Sequence, residues 1–127
     1  SSAASDVYKR QPKYINSSEN NFFKKRNILY NMNNLKMMKT RDHNLYIVEG
    51  YTDVIAMEQN GYNAVAPLGT AISLEQIKLT WKYVNEPNII FDGDKAGINA
   101  TYRALDVALF SIEPEKTLNF ILLTHIL

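Results

Sequence analysis

From Leu45 onward, short apolar runs of strand length alternate with stretches of helical periodicity, and this restricts the possible folds more than any other feature. Leu45-Tyr46-Ile47-Val48 is apolar without two-residue alternation, the pattern of a strand covered on both faces. After Gly50, residues Tyr51, Val54 and Ile55 fall at i, i+3 and i+4, with Thr52 as candidate N-cap and Gly61 as a natural terminator. Ala64-Val65-Ala66 predicts a second strand, broken by Pro67 and Gly69. Ser73 with Gln76 three residues later is a capping-box pattern. The helix it opens carries Leu74, Ile77, Trp81 and Val84 on one stripe and is closed by Glu86-Pro87. Ile89-Ile90-Phe91 predicts a third strand, and residues 118–123 a fourth. Between them a long helix should bury Leu105, Ala108, Leu109 and Ile112 and stop near Pro114. The order βαβαβαβ predicts an α/β, Rossmann-like fold: about four parallel strands, right-handed crossovers and helices on both faces.

The upstream third of the chain is different. Residues 1–11 are small and polar and are read as a leader or fragment edge outside the fold. Residues 12–44, rich in Asn, Lys and Ser, are predicted to be mostly irregular, with a short strand or turn at 14–16 and an amphipathic piece at 22–30. With 127 residues, 46% of them hydrophobic, the chain can build one core. The lack of cysteine excludes disulfides and thiolate metal sites. No apolar run approaches the roughly 20 residues of a membrane span, and no secretory leader pattern is present. A net charge of +1 argues against a polyanionic partner, but it conceals an asymmetry. Residues 1–48 hold nine Lys/Arg against three Asp/Glu, and residues 49–127 hold five against ten. Such a chain can bind a polyanion at one place and cations at another, although a solvated basic linker beside an acidic domain would give the same counts.

In parallel α/β sheets, ligands bind beyond the carboxyl ends of the strands, where Glu49 and Asp92 fall. Asp92-Gly93-Asp94 puts two hard oxygen ligands on a tight turn. A calcium loop is excluded, because its fifth position would be Ala96 and its twelfth Arg103. Two readings stay open at this point: a phosphatase-type Asp-x-Asp nucleophile, and Asp side chains that only cap the next helix. If the first and third strands are neighbours, Glu49, Asp92 and Asp94 converge at one edge, where their mutual repulsion calls for a cation. Magnesium suits a few carboxylates with waters and substrate phosphates, and would neutralise charge at phosphorus and activate an attacking oxygen. Asp53 is a supporting acid or a first-turn partner of the helix dipole. Gly69, Thr70, Gly93 and Lys95 are phosphate or turn positions, the bland reading of the first two being an ordinary strand–helix connection. His43 and His125 lie outside any ligand spacing, and Met32, Met37 and Met38 suit packing. No nucleophilic triad, dinucleotide fingerprint or Walker motif is present.

Three blocks now stand out: Val48-Glu49-Gly50-Tyr51-Thr52-Asp53-Val54, Ala66-Pro67-Leu68-Gly69-Thr70 and Phe91-Asp92-Gly93-Asp94-Lys95-Ala96-Gly97. Together they resemble the motifs of a Toprim domain, and more narrowly those of the DnaG-type bacterial primase family. Upstream, Pro12-Lys13-Tyr14-Ile15-Asn16-Ser17 and the stretch from Phe23 to Tyr30 resemble that family's Lys-Tyr-Leu-Asn-Ser and Phe-His-Lys-Gly-Arg-x-Leu-Tyr segments. The resemblance covers residues 12–123 and implies metal-dependent, template-directed synthesis of short RNA primers on single-stranded DNA from nucleoside triphosphates. It implies Glu49, Asp92 and Asp94 as catalytic metal ligands for Mg²⁺ or Mn²⁺, with Asp53 as the second acid of its block. It places Lys13 and Lys25 along the nucleic-acid path, with Lys24 and Arg26 beside them. Tyr14 and Phe23 are stacking candidates, although core packing suits both as well. It also implies a cytoplasmic place in the bacterial replisome, zinc only in a separate amino-terminal module, and a replicative helicase reached through a carboxy-terminal module.

Two departures qualify the match. The family's Gly-Arg pair is Arg26-Asn27 here, and after Leu123 an acidic Pro-Asp-Gly segment is replaced by Thr124-His125-Ile126-Leu127. The expectation is therefore a catalytic-core fragment: a leader over 1–11, a basic segment over 12–44 and a truncated Toprim domain over 45–127. A Toprim-type nuclease or phosphoester hydrolase, and a noncatalytic nucleic-acid-binding module, are the alternatives.

Overall fold

The apolar runs form one sheet with every strand pairing parallel in the computed structural model, which describes residues 18–38, 44–109 and 113–123. Helices α1 (Ser18–Asn27) and α2 (Met32–Leu35) come first. They are followed by β1 (Leu45–Ile47), α3 (Tyr51–Gln59), β2 (Asn63–Val65), α4 (Leu74–Trp81), β3 (Asn88–Asp92), α5 (Lys95–Leu109) and β4 (Asn119–Leu123). The strand order is β2-β1-β3-β4. The chain steps outward from β1 to β2, then reverses across β1 to β3 and on to β4. Right-handed crossovers then place α3 on one face and both α4 and α5 on the other.

Two apolar clusters match these faces. Leu45, Ile47, Val65, Ile89 and Phe91 pack with Ile77, Trp81, Ala104 and Ala108 of α4 and α5. Val48, Ala64 and Ala66 pack with Val54 and Met57 of α3. Leu45, Ile47, Ile77 and Ile89 are essentially inaccessible, each contributing about 1.5–3 kcal/mol of burial free energy.

The amphipathic piece expected at 22–30 is a helix that starts earlier, at Ser18, and α2 was not anticipated. The upstream segment is tied into the fold. Leu29 and Leu35 are buried in the α4/α5-side cluster, and Tyr30 bridges Ala66 in antiparallel fashion. The Ser73–Gln76 capping box forms as expected and also holds α1. The Ser73 hydroxyl donates to the Arg26 carbonyl, and the buried Gln76 amide donates to the carbonyls of Lys25 (2.7 Å) and Ile28 (2.9 Å). These bonds satisfy carbonyls that the end of α1 leaves open.

Three local expectations are corrected. Gly50, not Thr52, is the N-cap of α3, in extended conformation (φ −142°, ψ 168°) and without a side-chain cap bond. Helix α4 ends at Trp81 rather than at Glu86, because the N–H groups of Tyr83 and Val84 both turn back to the Thr80 carbonyl. Helix α5 buries Gly97, Ala104 and Ala108, whereas Leu105 and Leu109 are 38% and 58% exposed. Small residues let this helix lie close to the sheet, so its larger side chains turn outward. The expected strand at 14–16 and the stripe residue Ile112 lie outside the described residues. Among the described residues, no helix is long and apolar enough to cross a membrane.

Candidate functional site: a carboxylate cleft at the switch point

The direction of the crossovers reverses between β1 and β3, which opens a crevice beyond the carboxyl ends of these two strands. Glu49 leaves β1 by two residues and Asp92 closes β3, one residue earlier relative to its strand end than the sequence reading placed it. The Glu49 carboxylate accepts the backbone N–H of Asp92 at 3.0 Å, tying the two strand ends together. The next N–H, of Gly93, donates to the Leu123 carbonyl at 2.6 Å and extends the β3–β4 ladder past Asp92. On the other side, Gly97 of α5 lies so close that a β-carbon there would sit 1.8 Å from the Asp92 carbonyl oxygen. The Asp92 backbone is therefore held by β1, β4 and α5 together.

Glu49, Asp53 and Asp92 line one cleft of about 250 Å³, whose apolar wall includes Val48, Met57, Ile90 and Leu123. The acid that joins Glu49 and Asp92 there is Asp53 rather than Asp94. Asp94 is exposed and accepts the Gly97 N–H at 2.7 Å, which makes it the cap of α5, the structural role weighed for this motif. Among the described residues, no group of three or more His, Cys, Asp or Glu side chains is drawn together tightly enough to hold a metal ion. The expected convergence of Glu49, Asp92 and Asp94 on a single point is therefore not found. The donor chemistry still fits magnesium, which takes hard oxygen ligands, needs only one or two carboxylates and fills its shell with water and phosphate.

None of the remaining candidates lines this cleft among the described residues. Lys24, Lys25 and Arg26 form the exposed last turn of α1, where positive charge also complements the helix dipole. Lys13 lies outside the described residues. Lys95 is exposed at the first position of α5, and Gly69 takes a left-handed conformation (φ +71°) that suits glycine. Thr70 does not face the acids. Its hydroxyl is buried without a hydrogen-bond partner, and the residue lines a separate cleft with Arg26, Ile72, Arg103 and Asp106. The cause is topological: from the outer strand β2 the chain crosses to the opposite face to begin α4. Sequence reasoning missed the apolar wall of the acid cleft, because nothing in the local pattern distinguishes Met57 or Leu123 from other apolar positions of a helix or strand.

The chain is similar to known proteins over this same region. Residues 43–118 match the Toprim domain family. The DNA primase of Escherichia coli K12 is 39% identical over 113 residues, which cover 88% of this chain and 19% of that protein. The DNA primase of Pseudomonas aeruginosa is 44% identical over 115 residues, covering 89% of this chain and 17% of that protein. The chain thus spans about a fifth of the length of these curated relatives. Among solved structures, a DNA primase domain from Pseudomonas aeruginosa superposes with a TM-score of 0.73 at 40% identity, over 79% of this chain and 32% of that one. A DnaG primase catalytic domain bound to single-stranded DNA gives a TM-score of 0.72 at 36% identity, with the same two coverages. This chain belongs to the Toprim domain family, and its similarity within that family is to the bacterial DnaG-type DNA primases.

Proposed function

We propose that this chain is the metal-binding part of a primase catalytic core, which joins nucleoside triphosphates into short RNA primers on single-stranded DNA and releases pyrophosphate. The observation that carries the reading is the Glu49–Asp92 junction at the switch point, set in a sequence shared with DNA primases. Glu49 and Asp92 would hold Mg²⁺ or Mn²⁺, with Asp53 as the outer acid of the same cleft and Asp94, two residues beyond Asp92, as a further candidate ligand. When bound, the metal would neutralise phosphate charge and activate the attacking oxygen.

The chain's own residues orient the reactants. A bond from the Asp92 N–H fixes the Glu49 carboxylate, the strand ladder holds the Asp92 backbone, and the apolar wall of Met57, Ile90 and Leu123 limits water on one side. Lys24, Lys25 and Arg26 offer phosphate contacts that add affinity without reading sequence and weaken with salt. Lys13 is assigned to the same path. The single-stranded DNA partner is supported by the relative solved with that ligand. Zinc is assigned to a separate module, as in the Aquifex aeolicus primase structure that contains zinc-binding and RNA polymerase domains, because this chain has no cysteine. The helicase partner and the place in the replisome follow from the primase reading.

The test is a chimera. Residues 18–123 replace the matching region of the Pseudomonas aeruginosa primase, and magnesium-dependent RNA synthesis is assayed on single-stranded DNA. Primers should form and be abolished by Glu49→Gln or Asp92→Asn. A chimera that cleaves DNA without making primers would support the hydrolase alternative instead.

A further inference from the structure

Two tyrosines meet at the start of α3, the helix that carries Asp53 into the carboxylate cleft. Tyr51 opens α3 two residues after Glu49 and is 60% exposed. Its ring meets that of Tyr30 edge to face, with centroids 6.0 Å apart and planes at 69°. Tyr30 is the fixed member. Its N–H donates to the Ala66 carbonyl at 2.7 Å, its carbonyl accepts from the Ala66 N–H, and its side chain packs on the α3-side core. Tyr51 is therefore an aromatic ring held by a neighbour while most of its surface stays in water. Burial explains Tyr30 and leaves Tyr51 unexplained.

The position along the chain adds a second argument. The basic last turn of α1 ends at Asn27, three residues before Tyr30, and the chain then rounds the β2 edge of the sheet. Arg26 and Tyr30 are four residues apart, at most roughly 14 Å along the chain, so this aromatic pair is within reach of a polynucleotide held by Lys24, Lys25 and Arg26. Its bases carry π-faces of any sequence, and an exposed ring beside a basic track is the element that stacks on them.

Resting on the nucleic-acid reading above, we propose that Tyr51, backed by Tyr30, is a stacking platform for a nucleobase of the strand entering the cleft. Tyr51 does not touch the reacting atoms in this assignment. It would set the register of the strand, and the carboxylates would hold the cation that neutralises its phosphate.

The test is fluorescence-anisotropy titration of this chain at low salt with a labelled oligothymidylate and with an abasic strand of equal length. Wild type should bind the base-bearing strand more tightly. Tyr51→Ala should weaken that binding by roughly 5- to 150-fold, the effect of losing one base stack, and leave the abasic strand unchanged. Tyr51→Phe should retain the preference. Tyr51→Leu, which keeps an apolar contact with Tyr30 but has no π-face, should lose it. Equal binding of both strands by wild type and Tyr51→Ala would overturn the platform and leave the nucleic-acid reading standing. Failure of wild type to bind either strand would overturn the nucleic-acid reading and the platform with it.

Discussion

Gly97→Ala is the substitution for which this structure and simple helix propensity predict opposite signs. Alanine is favoured over glycine by about 1 kcal/mol inside a helix, so an open position on α5 would gain stability. At Gly97 the added β-carbon would lie 1.8 Å from the Asp92 carbonyl oxygen and 2.7 Å from its carbon. Those atoms are backbone of a central strand and cannot rotate aside. Helix α5 would have to retreat by roughly 1 Å or more, opening its Ala104 and Ala108 contacts with the sheet. Overpacking of this kind costs typically 1–3 kcal/mol, and the upper end applies where backbone is struck. Against the propensity gain, the net loss is about 2 kcal/mol, or roughly 8 °C in Tm for a domain of this size. Urea denaturation followed by circular dichroism measures it. Ala96→Gly, at the exposed neighbouring position, is the control and should cost no more than about 1 kcal/mol. A Gly97→Ala protein as stable as wild type, or more stable, would refute the close approach of α5 to Asp92.

Other parts of the fold can be checked in the same assay. Gln76→Ala removes the acceptor of the Ser73 N–H (2.9 Å) and the donor to the Lys25 and Ile28 carbonyls, so it should cost about 3 kcal/mol, with α1 released first. Hydrogen exchange in residues 18–27 reports that release, and unchanged protection there would contradict the coupling of α1 to α4. Leu109→Ala should change stability by less than about 0.5 kcal/mol, since Leu109 is mostly exposed, whereas Ile89→Ala should cost about 2–5 kcal/mol. Equal losses from the two would show that the sequence-derived face of α5 is the buried one after all.

The legible parts of this fold are those governed by local rules. Unalternating apolar runs gave the strands, and the parallel order followed from helix-length connections. The Ser73–Gln76 box was readable because both partners lie within one turn. The buried face of α5 was legible only at Ala108, because Leu105 and Leu109 present the more apolar stripe while the residues fully buried against the sheet are Gly97, Ala104 and Ala108. Close packing against a strand selects small volume over hydrophobicity, and that depends on a partner distant in sequence. At the site, Glu49 and Asp92 were legible as strand-end acids. The absence of Asp94 from the cleft lining was legible only as one of two open readings, since it depends on Asp94 turning to cap α5. Thr70 was misplaced for a related reason: β2 is an edge strand, and the chain leaves it towards the opposite face.

The central claim is that the Glu49–Asp53–Asp92 cleft is the divalent-cation site. Calorimetric titration of this chain with Mn²⁺ tests it most directly, comparing wild type with Glu49→Gln, Asp92→Asn and, as a control away from the cleft, Glu113→Gln. Saturable binding by wild type, weakened by about tenfold or more in the first two variants and unchanged in the control, is the predicted result. Mn²⁺ binding of equal strength in all four proteins would contradict the assignment.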